Sequence, residues 1–477
     1  MDNYYIDTNN SKRRISHPLS TLVKSLKTVL NPALIFRRLA KLSFAATLVT
    51  IPWRDRLVLH RIDLPPVYGD YTHILLFAAD GFSLAMLAFW LFDLALEPRP
   101  LRFGPVFLTV PMLGLTVVSL ISVPGSVHPL ISGVHVIRLC LLAGFYLYLQ
   151  NEPVKMNWLA LPLSLQVLTQ AVVGVGQVIH QGDLGLQLLG EYRLDPAWEG
   201  VSIVWMEGLR TLRAYGLSDH PNILGGSLAF ALILIAAWHR TLKPPGQILV
   251  GAIYALGLLG LLLTFSRSAW LAWILAALLV LILLFKSRRM EDLVHSISLM
   301  TASLIVVVPF LFHYAEPILG RLNQNGTFTA LTPEAQSLGS RFLLNQAANQ
   351  IFASHPLTGV GVGAFPVALR QQYPEFPIDY QPAHFVLLDV AAETGIFGAL
   401  FYSLAMAVPW MALWLNRRRM ALSPEMMAAS GLLLAVTVVG LFDYYTWLLV
   451  PGRLWQWLAW GLWAIAYRDW RVEASHA

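Results

Sequence analysis

Apolar residues in this chain arrive in blocks of roughly twenty, the length a helix needs to cross the hydrocarbon core of a bilayer. The blocks fall at about 37–53, 71–96, 104–123, 130–149, 157–180, 220–238, 248–264, 268–285, 294–313, 383–412, 426–447 and 452–468. They predict an all-α polytopic membrane protein of about 12 transmembrane helices. Ten-residue segments of alternating polarity, which would mark a membrane β-barrel, are absent from the sequence. Two connections, 181–219 and 314–382, are too long to be simple turns, and loops of that length commonly carry function. The second contains "SRFLLNQAANQIFASHP", which predicts an amphipathic helix ending before Pro356 and lying on the outer surface of the bundle.

Basic residues orient these blocks. With the N-terminus inside, the inner connections hold Arg99 and Arg102, then Lys155, then Arg240 and Lys243, then Lys286, Arg288 and Arg289, then Arg417, Arg418 and Arg419. Arg468 and Arg471 follow in the C-terminal tail, whereas connections 124–129 and 448–451 hold none. By the positive-inside rule both termini are expected in the cytoplasm. Residues 1–36 are polar and basic and lack the apolar core of a cleavable signal, so an uncleaved first membrane helix is expected to direct insertion. Within this tail Leu19, Leu22, Val23, Leu26 and Leu30 share helical spacing. The tail is therefore either a basic amphipathic helix on the anionic inner leaflet or a loosely ordered segment. Residues 37–477 form a single integral membrane domain on this reading.

Composition agrees with the pattern. Of 477 residues, 56% are hydrophobic and 13% charged, against about 25% charged in a soluble chain. The net charge of +6 marks the cytoplasmic side rather than a nucleic-acid partner. A lone cysteine, Cys140, excludes an intrachain disulfide and a cysteine-based zinc site. No internal repeat suggests a two-fold transporter.

The candidate chemistry gathers on the outer side. In "TLRAYGLSDHPN", Ser218 or Asp219 is expected to cap the next helix, with Pro221 in its first turn. Capping accounts for the end of this motif but not for Arg213, and His220 and Asn222 are candidates to support a site there. In "LLLTFSRSAW", Arg267 sits in a tight outer turn, with Ser266 or Ser268 as the expected cap. Its plain structural role would be to snorkel to lipid phosphate. Arg341 stands in "SLGSRFLLNQ", ahead of "SHPLTGVGVGAFP". Those glycines lack the strand and lysine of a phosphate loop and read as turns around packed backbone. In "PAHFVLLDVAAETGIFGAL", His384 stands at the mouth of a long block, with Asp389 and Glu393 at i, i+4 inside it. Intramembrane carboxylates are functional or paired, an arginine being the structural partner. Arg138, near His135 in "HVIRLCLL", is open between a donor-site role, a pair with Asp80 or Asp93, and a transport path with Asp389 and Glu393.

Histidines at metal-ligand spacing and a GxSxG nucleophile elbow are both missing, so no metal or cofactor is expected. Arg213, Arg267 and Arg341 at one membrane face suit a lipid diphosphate, because guanidinium forks bind phosphate bidentately and stay charged. Such arginines would themselves stabilise a departing diphosphate, and a histidine would serve as general base for an incoming hydroxyl.

In order, "RAYGLSDHPNILG", "TFSRSAWLAW", "GSR", "HPLTGVGVGAF" and His384 followed by "AAETGIFG" resemble the O-antigen ligase and polymerase superfamily of bacterial inner-membrane proteins across about 200–400. The resemblance implies a GT-C-type, metal-independent, inverting glycosyltransferase working on the periplasmic face. Its donor would be an undecaprenyl-diphosphate-linked glycan and its acceptor a lipid, glycan or protein hydroxyl. Carried over by position, Arg213 and Arg267 would bind diphosphate, Arg341 would join them, and His384 would be the base. Phe385 and Ala399 depart from the ligase pattern, and transfer to a core lipid, to a growing polysaccharide or to a protein fits the rest equally well.

Overall fold

The apolar blocks fold as helices, in the order the pattern predicts, in a computed structural model that describes residues 31–152, 154, 156–322, 333–416 and 422–476. They are α1 (Pro32–Thr50), α2 (Ala78–Leu96), α3 (Val106–Ser122), α4 (Pro129–Asn151), α5 (Met156–His180), α6 (Pro221–His239), α7 (Pro244–Leu263), α8 (Arg267–Lys286), α9 (Met290–Ala302) and α10 (Leu304–His313). After the long connection come α11 (Ala315–Leu322), α12 (Pro333–Ser354), α13 (Phe365–Gln372), α14 (Val386–Asn416), α15 (Pro424–Gly440) and α16 (Val450–His476). Among the described residues eight spans are long and apolar enough to cross a membrane: α2, α4 to α8, α9 with α10, and α14. The apolar α3 and α15 are shorter, at 17 residues each, so length and composition carry eight crossings rather than about 12. The amphipathic reading of the basic tail and the Arg417–Arg419 cluster fall outside the described residues.

Two small hairpins interrupt the helical pattern. The block expected from residue 71 opens as strand β2 (Ile74–Phe77), paired antiparallel with β1 (Arg56–His60). Strands β3 (Ile203–Met206) and β4 (Leu209–Leu212) pair with Trp205 opposite Arg210. Their two-residue turn, Glu207–Gly208, takes φ of 52° and 78°, the two left-handed residues that match the twist of a tight hairpin.

Helix α6 is the centre of the bundle: 83% of its apolar window is buried, and it touches α5, α7, α8, α15 and α16. Its sequence is apolar all round, and Gly225, Gly226, Ser227 and Ala229 permit close approach of neighbours. Its N-terminus therefore brings His220 and Asn222 to the middle of one face. That face also carries both hairpins, α12 and α13, and is called the loop face here. At the opposite face Arg37 reaches Asp93 at 3.0 Å, and Arg99 reaches Asp93 at 2.7 Å and Glu152 at 2.5 Å. Asp93 is thus unavailable to Arg138.

The amphipathic segment forms α12, which ends at Ser354 as expected and packs on α14. Its Leu344, Ala347, Ala348 and Ile351 close a second core with Phe365 and Tyr380. Helix α14 is broken at Gly395 (φ 72°, ψ −170°). The glycine-rich loop fills the break: Val360 N donates to the Ala392 carbonyl at 3.0 Å, Gly361 N to Glu393 at 2.9 Å, and Ile396 N to the Pro356 carbonyl at 2.8 Å. A broken helix at membrane depth survives only where its freed backbone groups find such partners. The glycines thus serve backbone packing. A Cβ at Gly395 would run into the Leu357 carbonyl, and its backbone conformation is one that glycine alone adopts cheaply. Gly395→Ala is expected to destabilise the fold by about 1–3 kcal/mol from backbone strain before the clash is added. Thermal unfolding of the detergent-solubilised variant measures this, and an unchanged midpoint would contradict the packing assigned to the break.

Candidate active site

Residues 213–222 lead from β4 into α6, and Arg213, Asp219, His220 and Asn222 are each committed by a contact that sequence spacing does not specify. Arg213, 8% exposed, donates from Nε to the Thr264 carbonyl at 2.7 Å and from Nη2 to Asn222 Oδ1 at 2.8 Å. Asn222 Nδ2 donates in turn to Asp443 Oδ2 at 2.9 Å. Guanidinium can only donate and carboxylate only accept, so the two partners fix the Asn222 amide orientation. The expected caps are corrected here. His220 is the N-cap of α6, its Nδ1 accepting from Asn222 N at 3.1 Å. Asp219 instead takes Arg54 at 2.8 Å and also Arg56, because the β1 hairpin brings two guanidinium groups to it. Ser218 is buried and leaves the cap to its neighbour.

Arg267 is the first residue of α8, after a turn in which Phe265 takes φ 49°. Ser266 holds the N-cap position, but its hydroxyl makes no capping bond. It lies 3.4 Å from Ser268 Oγ, and Thr264 Oγ1 accepts from Ser266 N at 3.3 Å. Thr264 therefore tightens the turn that the two serines were expected to hold. Phe265 anchors it against Trp270, Phe310 and Tyr314. Arg341 enters from α12, and a cavity of about 670 Å3 on the loop face is lined by Arg213, Arg267, Arg341 and His384 together. The N-termini of α6 and α8 open on the same space, and the positive ends of the two helix dipoles favour an anion there.

Two histidines share this cavity wall, and their bonding separates them. His220 Nδ1 is taken by the cap, so Nε2 carries the proton and donates to Ser202 Oγ at 2.9 Å. Burial, with Arg213 and His384 nearby, pushes its pKa down to about 3. His384 stands edge-on to Tyr444 with ring centroids 5.1 Å apart, and its Nδ1 is buried without a hydrogen-bond partner. Burial pushes its pKa down to about 4, the Arg341 guanidinium adding to the shift and the Asp443 carboxylate and a hydrogen bond with the Pro382 backbone opposing it. Both rings are neutral at neutral pH, but only His384 has a nitrogen left uncommitted.

The remaining sequence candidates lie elsewhere. Arg138 donates to the Leu75 carbonyl and to Asp80 at 3.3 Å. It lines a second loop-face cavity of about 920 Å3, which also carries His220, Asn222 and His384. Asp389 and Glu393 are fully buried and line neither cavity. Among the described residues neither pairs with an arginine; Glu393 accepts from Trp447 Nε1 at 2.7 Å. The residue that sequence reasoning missed is Asp443, buried beside Asn222. It fell inside the block 426–447, where the rule that flagged Asp389 and Glu393 applies to it as well. Among the described residues no three His, Cys, Asp or Glu side chains are grouped to hold a metal ion.

Residues 252–403 match the family described as O-Antigen ligase. The match includes Arg267, Arg341 and His384 and leaves Arg213 and Asp443 outside. No curated protein sequence matches the chain.

Proposed function

We propose that this chain, similar over residues 252–403 to the O-antigen ligase family, moves a glycan from an undecaprenyl-diphosphate carrier to an acceptor hydroxyl, without a metal ion and with inversion. The observation that carries the reading is the meeting of Arg213, Arg267, Arg341 and His384 on one cavity. The loop face is then the periplasmic side of a bacterial inner membrane, and both termini are cytoplasmic.

The donor diphosphate lies against the three arginines and the two helix N-termini. The acceptor oxygen attacks the anomeric carbon from the side opposite the diphosphate. As the new carbon–oxygen bond forms, the bond to the diphosphate oxygen breaks, and the electron pair leaves with the lipid diphosphate. His384 takes the proton of the acceptor hydroxyl. Arginine charge fixed in place before the reaction stabilises the leaving group without reorganisation. Asn222 joins Arg213 to Asp443 by hydrogen bonds, and the Asp443 carboxylate acts on the base by its charge. Transport along Arg138, Asp389 and Glu393 has less support, since the two carboxylates line neither cavity.

The test is transfer by the purified protein in lipid nanodiscs, supplied with an undecaprenyl-diphosphate oligosaccharide, candidate acceptors and a chelator. A new glycosidic bond of inverted anomeric configuration is expected by NMR. Retention of configuration, or strict dependence on a divalent cation, would reject this chemistry.

A further inference from the structure

Helix α5 carries a row of glutamines through its apolar sequence. Gln166, Gln170, Gln177 and Gln181, the last just past the helix end, are spaced by four, seven and four residues. That spacing puts all four on one helix face. Gln166, Gln170 and Gln177 are fully buried, and an amide at membrane depth is costly without hydrogen-bond partners. Gln166 Nε2 donates to the Leu48 carbonyl at 2.9 Å and ties α5 to α1. The other three turn to the strip of chain around Arg213.

Residues 213–217 belong to no helix or strand, so their backbone groups need partners from elsewhere. Gln177 Oε1 accepts from Tyr215 N at 3.1 Å and from Gly216 N at 2.8 Å. Its Nε2 donates to the Gly216 carbonyl and to Glu191 Oε1, each at 2.9 Å. A primary amide has two N–H donors and two acceptor lone pairs, so Gln177 is saturated. Gln170 Oε1 accepts from Leu217 N at 2.9 Å, and Gln181 Oε1 from Leu212 N at 2.8 Å. On its other side the strip is bonded to the end of α7, where Ala214 N donates to the Leu263 carbonyl at 2.9 Å. The fit toward α5 is tight, since a Cβ at Gly216 would stand 2.3 Å from Gln170 Oε1.

We infer that Gln177, with Gln181 one turn on, is a positioning residue for Arg213. This rests on the transferase reading above and adds side chains that line neither cavity. The glutamines fix the backbone on both sides of Arg213, at Leu212 and at Tyr215 and Gly216. Thr264 and Asn222 then fix the guanidinium itself. Positive charge stabilises a departing diphosphate when it is held in place beforehand, and a misplacement of about 1 Å can cost about a hundredfold. Gln177 acts on the diphosphate through Arg213 alone, so its removal changes nothing further once that guanidinium is gone.

The experiment uses the full chain in nanodiscs, below the unfolding temperature of each variant. It reads the Kd of undecaprenyl diphosphate and the single-turnover rate with an undecaprenyl-diphosphate oligosaccharide. Gln177→Met keeps the side-chain length and loses all four bonds. It is expected to raise the Kd about tenfold and to slow transfer by a similar factor, less than a full displacement would cost. In the Arg213→Ala background the same substitution should change neither quantity, whereas in the Arg267→Ala background its whole effect should remain. An effect of equal size in both backgrounds would make Gln177 a general structural residue and overturn the inference. A Gln177→Met variant that binds and transfers like the native chain would overturn it as well. Gln181→Met removes one bond to the strip from a half-buried position and decides the matter if Gln177→Met does not fold. Its expected effect is about threefold, the worth of one hydrogen bond, and absent without Arg213; no effect, or one that persists without Arg213, would overturn the inference. A native chain that transfers no glycan would reject the transferase reading, and the diphosphate Kd would still test the positioning.

Discussion

His384→Ala is expected to lower the transfer rate by about 10²–10⁴-fold, the range for loss of a positioned general base, while carrier-diphosphate binding stays intact. Donor retention on the immobilised protein, measured beside turnover, separates the two effects. The pH profile carries a second signature. His384 works as a base only when neutral, and its pKa is pushed down to about 4, well below the ordinary value of about 6.5 for histidine. Activity should therefore hold as pH falls through 6 and be lost only on the acid side, near pH 4. Asp443 lifts this pKa by charge, so Asp443→Asn should move the acid limb to still lower pH. A variant lacking His384 that transfers at full rate would remove it as the base. An acid limb that persists in that variant would assign the titration to another group.

Arg267→Ala is expected to lower turnover by about 10²–10³-fold, the usual cost of removing one preorganised group from a developing negative charge. Arg267→Lys should recover only part of this, because an ammonium keeps the charge but not the planar fork that meets two phosphate oxygens. Single-turnover rates with saturating donor measure the effect, and a lysine variant as fast as the native protein would reduce Arg267 to a point charge. Arg213→Ala should behave differently. Its guanidinium holds the Thr264 carbonyl and Asn222 inside the protein, so its removal should lower the unfolding temperature as well as turnover. A variant with full thermal stability and lost turnover would show that Arg213 acts on substrate alone.

The helical architecture was legible in advance, because burying about twenty apolar residues in a bilayer is a property of a contiguous stretch. The places where legibility failed are short and polar. The expected caps Ser218, Asp219, Ser266 and Ser268 all have the right chemistry, but capping depends on which competing partner is nearer. Asp219 has Arg54 and Arg56 beside it, contributed by a hairpin more than 150 residues earlier in the chain. His220, a poor cap by residue type, takes the position because it directly precedes Pro221 and its Nδ1 reaches Asn222 N. Asp443 went unnoticed because it sat inside an apolar block, although a carboxylate there is costly unless it has work or a partner.

The sequence by itself determined that apolar helices carry two long loops on one face, and that three arginines and a histidine lie at or near that face. The match over residues 252–403 bears out the family resemblance there. Tertiary structure decided which groups meet. Asn222 joins Asp443 across 221 positions, Arg213 reaches Thr264 across 51, and the loop at Val360 repairs the helix broken at Gly395. It also decided which histidine keeps an unbonded nitrogen, by bonding both nitrogens of His220 and leaving His384 Nδ1 without a partner. The physical reason is one of range. Hydrophobic periodicity is summed over neighbours in the chain, whereas a buried polar group is satisfied by whatever folding brings within about 3 Å of it.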